Sequence, residues 1–159
     1  IMETNEALQN IYEIAHASKR MVALYFGGVD MAAELRVDNK WENLVYARSK
    51  LVHAGASAGL DVIDVPYLDL ENMDGMKKEA ELVRNLGFTG KGSIHPKQIK
   101  ILNQVFTPPE DEILKAKKIL EQFNNSNTGL VVIDGKLIEK PVLREMQRKI
   151  LIADKINKN

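Results

Sequence analysis

The sequence predicts an α/β fold, and three observations carry that prediction. Short apolar runs of strand length alternate with stretches of helical periodicity. The expected strand centres, near Met2, Leu24, Ile63 and Ile94, are separated by 22, 39 and 31 residues, the range of strand-plus-helix units. Two of the helical stretches stop at glycines, Gly59 and Gly87, the residue type that closes helices.

Taken in order, Ile1-Met2-Glu3-Thr4 reads as the end of a buried strand with no entry turn before it, which suggests a fragment whose upstream sequence is not observable. Thr4 or Asn5 can cap a helix in which Ala7, Leu8, Ile11, Ile14 and Ala15 recur at helical spacing up to Ser18. "MVALYF", residues 21–26, is a continuous apolar run suited to a strand covered on both faces, and "GGVD" ends it. Helical pattern returns from about Trp41 and stops at Gly59. "LDVIDVPY" is the next strand, closed by Pro66, and a helix from about Asn72 ends at Gly87. Ser93-Ile94-His95 is expected as a fourth strand, followed at once by a helix from Pro96 to Val105. Such alternation means a parallel sheet, either a small open one or half of a closed (β/α)8 barrel. A whole barrel needs about 250 residues.

Beyond Val105 the pattern changes. "TPPEDEILKAKKILEQF" is a helix with prolines at its start and Glu110, Asp111 and Glu112 in its first turn. "NNSNTG" is a loop, "LVVIDGKLIEKP" a hairpin turning at Asp134-Gly135, and Pro141 opens a last amphipathic helix that frays into "NKN". The expected division is therefore 1–106 as the α/β part and 107–159 as a helical and hairpin extension.

Composition narrows the function classes. The chain carries 22 basic and 22 acidic side chains, a net charge of zero that argues against general nucleic-acid binding. No apolar run approaches the roughly 20 residues that cross a bilayer. Cysteine is absent, which removes disulfide frameworks and thiolate metal sites and fits a cytoplasmic setting.

In parallel α/β folds ligands bind at the carboxyl ends of the strands. Those ends carry Glu3, then Gly27-Gly28-Val29-Asp30, then Asp64 with Tyr67, then Ser93-Ile94-His95. Neighbouring strands lie about 4.8 Å apart, so Glu3 and Asp30 could share one cation. A hard oxygen pair with open positions suits Mg²⁺. The plainer alternatives are that Glu3 pairs with a lysine or caps the next helix and that Asp30 caps the segment after Gly28. Gly27 and Gly28 either satisfy a backbone requirement or let amides approach a substrate carboxylate. His95 has no partner at a recognisable spacing and reads as a structural or cofactor-contacting residue; His16 and His53 read as ordinary helix residues. The lysines of "KKEAELVRNLGFTGKG" read as a solvated face.

Six segments in succession, "METNEALQNIYEIA", "FGGVDMAAELRV", "YARSKLVHAGASAGLDVIDVPYLDL", "LGFTGKGSIHPKQI", "FTPPEDEI" and "VVIDGKLIEKPVL", together resemble the citrate lyase β-subunit family, which includes malyl-CoA and citramalyl-CoA lyases. The resemblance covers essentially the whole chain. It implies the carboxyl-terminal half of a (β/α)8 TIM barrel, four β/α units, followed by a helical and hairpin lid. It further implies a Mg²⁺-dependent carbon–carbon lyase that cleaves a 3-hydroxyacyl thioester of CoA into acetyl-CoA and a 2-oxo acid. Residue by residue, Glu3 and Asp30 match the metal carboxylates and Gly27, Gly28 and Val29 the backbone that meets the oxo-acid carboxylate. Ile94, His95 and Pro96 match the rim that the CoA arm passes. Glu139 matches a lid acid that assists proton transfer in a neighbouring subunit of a homotrimer. Departures are plain: relatives often have asparagine at His95 and aspartate at Glu139, and the substrate arginine of the amino-terminal half has no counterpart. The alternative to the enzyme reading is an inactive half-barrel that acts as an interaction module or needs its other half.

Overall fold

The computed structural model describes residues 1–126, 131–133 and 135–156. The chain divides into two compact units, Ile1–Phe106 and Thr107–Asn159.

In the first unit Met2 forms a parallel bridge to Phe26, donating to the Tyr25 carbonyl at 2.7 Å and accepting from Gly27 N–H at 2.9 Å. Helices α1 (Asn5–Gln9) and α2 (Ile11–His16) follow. The single helix expected up to Ser18 is thus interrupted at Asn10, whose backbone leaves helical geometry at φ −94° and ψ 13°. Thr4 Oγ1 caps α1 by accepting from Ala7 N–H.

Strand β1 (Ala23–Tyr25) leads into a helix that the sequence reading did not include, α3 (Gly28–Leu35), and α4 (Trp41–Ala58) follows. Val29, Met31, Ala32 and Leu35 do carry helical spacing, but the glycine pair in front of them reads as a turn. Strand β2 (Asp61–Asp64), helix α5 (Met73–Leu86), strand β3 (Gly90–Lys91) and helix α6 (Pro96–Phe106) complete the unit. The three strands form one parallel sheet in the order β1-β2-β3, with Tyr25 opposite Ile63 and Asp64 opposite Lys91.

The third strand is a correction. It falls at Gly90–Lys91, and Ser93-Ile94-His95 is a loop with Ile94 53% exposed. At Gly92 the Tyr25 hydroxyl and the Pro66 ring occupy the place of a side chain, and the chain leaves the sheet there.

Alternation along the strands sorts the two faces of the sheet. Leu24, Phe26, Val62 and Asp64 are buried, whereas Tyr25 and Ile63 are half-buried. The buried apolar set packs with Leu44, Ala47, Leu51 and Ala54 of α4 in the main core. Gly55 lets α4 approach closely, because Val62 fills the space its Cβ would take. A second core of Met76, Ala80, Leu102 and Val105 joins α5 to α6.

The second unit holds α7 (Glu110–Asn124), β4 (Val131–Ile133), β5 (Lys136–Ile138) and α8 (Lys140–Ile156). The strands form an antiparallel hairpin with Ile133 opposite Lys136, which leaves a two-residue turn. Gly135 holds φ +74° in that turn, while Asp134, the second half of the expected "NNSNTG" loop (127–129) and the terminal "NKN" lie outside the described residues. Ile119, Ile138 and Leu143 form its core.

Candidate metal and substrate site

At the carboxyl ends of the first strands Glu3 lies against the Gly27-Gly28 turn. Glu3 directly follows the Met2 bridge, and its carboxylate lies over Gly27: a Cβ built on Gly27 would come 2.8 Å from Glu3 Oε2. Gly27 is the N-cap of α3 and provides no side-chain cap. Its own amide donates to the Met2 carbonyl. The first donor inside α3 is Met31 N–H, to the Gly27 carbonyl at 3.0 Å. The amides of Gly28, Val29 and Asp30 therefore have no partner within the helix, as the first turn of any helix requires.

Asp30 sits in that first turn and is exposed. Neither Glu3 nor Asp30 enters an ion pair among the described residues. The plainer alternatives for them give way to other partners: Thr4 caps α1, and Gly27 occupies the cap position of α3. Asn5 N–H donates to Glu34 Oε2 at 2.9 Å and ties the chain just after Glu3 to α3.

Gly28 is seated tightly. A Cβ there would lie 2.9 Å from Val65 Cγ1 and 3.0 Å from Phe26 Cε1, so only glycine lets the turn settle onto these side chains.

Among the described residues no three acids or histidines gather in a metal-holding group. Two carboxylates remain as the donor set. Hard oxygen donors with most positions left to water and substrate are what Mg²⁺ accepts, so the residues present fit that ion.

Asp64, at the end of the next strand, has a different fate. It is fully buried, with Arg48 Nε donating to Oδ1 at 2.8 Å and Lys91 Nζ to Oδ2 at 2.6 Å. Lys91 also donates to Glu79 Oε1 at 2.6 Å and to the Val65 carbonyl at 2.8 Å. The solvated face expected of the nearby lysines holds for Lys77 and Lys78 and fails for Lys91, which pairs with Asp64 across the sheet. Burial, and then the Asp64 charge, push the Tyr25 hydroxyl above its ordinary pKa.

The loop at Ser93-Ile94-His95 is pinned by Gln98, which is fully buried. Its Oε1 accepts from Ile94 N–H at 3.0 Å and its Nε2 donates to the Tyr67 carbonyl at 2.8 Å, joining the loops after β2 and β3. His95 Nδ1 accepts from Lys97 N–H at 3.1 Å and so caps α6, opened by Pro96. Glu139 lies in the second unit, exposed, immediately before α8, where its carbonyl accepts from Val142 and Leu143 N–H.

Arg48, Lys91 and Gln98 were not found by sequence reasoning. Arg48 and Lys91 meet Asp64 across 16 and 27 residues and Gln98 meets the Tyr67 carbonyl across 31, separations that no local pattern marks.

The model of the HpcH/HpaI aldolase/citrate lyase family matches residues 1–96. The chain belongs to this family. It is similar to citrate lyase subunit beta of Leuconostoc mesenteroides, with 30% identity over 96% of this chain and 52% of that protein. It is also similar to mitochondrial citramalyl-CoA lyase of Rattus norvegicus, with 32% identity over 84% of this chain and 41% of the relative. Among solved structures, the citrate lyase beta subunit of M. tuberculosis complexed with oxaloacetate and magnesium superposes with a TM-score of 0.60. It is 26% identical over 67% of this chain and 50% of that one. The chain thus spans about half the length of the curated relatives it matches. Among the described residues no helix is long and apolar enough to cross a membrane.

Proposed function

We propose that the intact protein is a Mg²⁺-dependent carbon–carbon lyase that cleaves a 3-hydroxyacyl-CoA (citramalyl-CoA, malyl-CoA or a citryl thioester) into acetyl-CoA and a 2-oxo acid. Residues 1–106 are the second half of a TIM barrel in this reading, and 107–159 are its lid. The observation that carries the reading is the meeting of Glu3, laid over Gly27, with the first turn of α3 that holds Asp30.

Glu3 and Asp30 would hold the ion, which when bound supplies positive charge beside the developing carbonyl oxygen of the oxo acid. The open amides of Gly28, Val29 and Asp30 would receive the oxo-acid carboxylate at the positive end of α3. Gly27 contributes by what it lacks, since any side chain there would displace the Glu3 carboxylate. During cleavage the substrate hydroxyl gives its proton to the carboxylate of Glu139, assigned to the lid of a neighbouring subunit in a homotrimer, while the carbon–carbon bond breaks and its electron pair passes to the thioester α-carbon. Glu139 then returns that proton to the α-carbon, which closes the acetyl group and leaves the carboxylate free again. Ile94, His95 and Pro96 would border the CoA arm, with Gln98 holding their backbone. His95 Nδ1 caps α6, and in this scheme His95 borders the thioester.

Thiol release by the intact protein from citramalyl-, malyl- and citryl-CoA, with and without Mg²⁺, tests the proposal. Metal-dependent turnover of one of these thioesters is expected. Turnover that is indifferent to Mg²⁺ and to EDTA would overturn it.

A further inference from the structure

Arg48 is 1% exposed, yet no hydrogen-bond partner meets its Nη1 among the described residues. Its guanidinium carbon stands 5.1 Å from the Phe26 ring centroid and 5.1 Å from that of Trp41, and its Nε is held by Asp64. A buried cation with an unmet donor is costly, and replacing such groups with apolar ones is often neutral or stabilising. Arg48 therefore calls for an explanation beyond stability.

Its surroundings supply one. The Phe26 ring on which Arg48 stacks is one of the two groups that seat Gly28. The other is Val65, whose carbonyl is fixed by Lys91, the second partner of Asp64. Arg48, Asp64 and Lys91 thus act on both supports of the turn from which Asp30 rises. A planar cation is suited to this task, since it stacks on a ring while its edge is hydrogen-bonded.

We propose that Arg48 is a positioning residue for the metal site, setting through Phe26 the height of the Gly28 turn and hence the place of Asp30. The inference rests on the reading of Glu3 and Asp30 as metal ligands. Groups that orient metal ligands typically change metal affinity by about 10–100-fold when altered.

The test is calorimetric titration of Mg²⁺ alone into the intact protein and into R48K, F26L and D30N, each also melted thermally. R48K keeps the charge opposite Asp64 but loses the stacking plane; F26L keeps the ion pair but loses the ring. Both are expected to bind Mg²⁺ about tenfold more weakly while remaining folded at the titration temperature, and D30N to lose binding. Unchanged Mg²⁺ affinity in R48K and F26L, with binding lost in D30N, would overturn the role of Arg48 and leave the metal site standing. Unchanged affinity in D30N would instead overturn the metal site itself. Should R48K fail to fold, unchanged affinity in F26L, which lacks the ring through which Arg48 acts, still overturns the role of Arg48, and D30N still decides the metal site.

Discussion

Two kinds of acid stand at the strand ends of the first unit, and the proposed metal site rests on the contrast between them. Asp64 is sealed beneath helices, with one oxygen on Arg48 and the other on Lys91. Asp30 and Glu3, one and two strands earlier, have no ion-pair partner among the described residues and border helix amides with no intrahelical partner. All three are carboxylates at the same end of one sheet. Asp64 has already been neutralised by the fold and can bind nothing further. The other pair, without an ion-pair partner among the described residues, has the free oxygens that the proposed metal site requires.

The sharpest way to break this contrast is to exchange the two behaviours. Asp64→Leu would strand Arg48 and leave Lys91 with Glu79 and the Val65 carbonyl, and urea unfolding should show a loss of about 3–5 kcal/mol, the cost of breaking a buried pair. Glu3→Gln and Asp30→Asn should do the reverse. Thiol release should fall about a hundredfold or more, while the melting temperature stays within about 2 °C of the parent, as for surface substitutions. A loss of activity below about tenfold would remove either residue from the metal site.

Gln98→Ala should be milder. It leaves the Ile94 amide and the Tyr67 carbonyl without partners, at about 1–3 kcal/mol, and should raise KM for the thioester more than it lowers kcat. His95→Asn should change thiol release by less than about threefold, because asparagine also accepts from the backbone at a helix start.

The smallest effect belongs to the second unit. Lys149 donates to Glu112 at 2.8 Å, and this bond, ahead of the Glu145 contact, raises its pKa. A raised lysine pKa contributes stability that is fully present below the unfolded value of 10.5 and is lost as pH climbs through the higher folded value. Lys149→Met should abolish that alkaline loss in a pH series of melts, without touching Mg²⁺ affinity.

Much of this arrangement was legible in the sequence, for definite physical reasons. The runs at 21–26 and 60–67 were readable as strands, but only one face, with Leu24, Phe26 and Val62, is buried with α4, whereas Tyr25 and Ile63 stay half-buried and Val22 is exposed. Gly59 and Gly87 close α4 and α5 in left-handed conformation as the pattern suggests. The positions of Glu3 and Asp30 just past strand ends were readable because a strand end is a local feature, while their role as metal ligands is the proposal above. The third strand was misplaced because Ile94 advertises burial that Gly92 prevents, and the residue that pairs in its stead is a lysine. Helix α3 was hidden behind two glycines whose purpose is tertiary: one makes room for Glu3, the other for Phe26 and Val65. The Arg48–Asp64–Lys91 arrangement could not be read, since it joins residues 16 and 27 positions apart and its charges are of the type usually solvated.

The central claim is that one divalent cation is shared by Glu3 and Asp30. Paramagnetic resonance of Mn²⁺ titrated into the intact protein, in competition with Mg²⁺, addresses it directly. The account predicts a single site per chain that Mg²⁺ displaces and that either Glu3→Gln or Asp30→Asn abolishes. A site that survives both substitutions, or the absence of any bound ion in the unaltered protein, would contradict it.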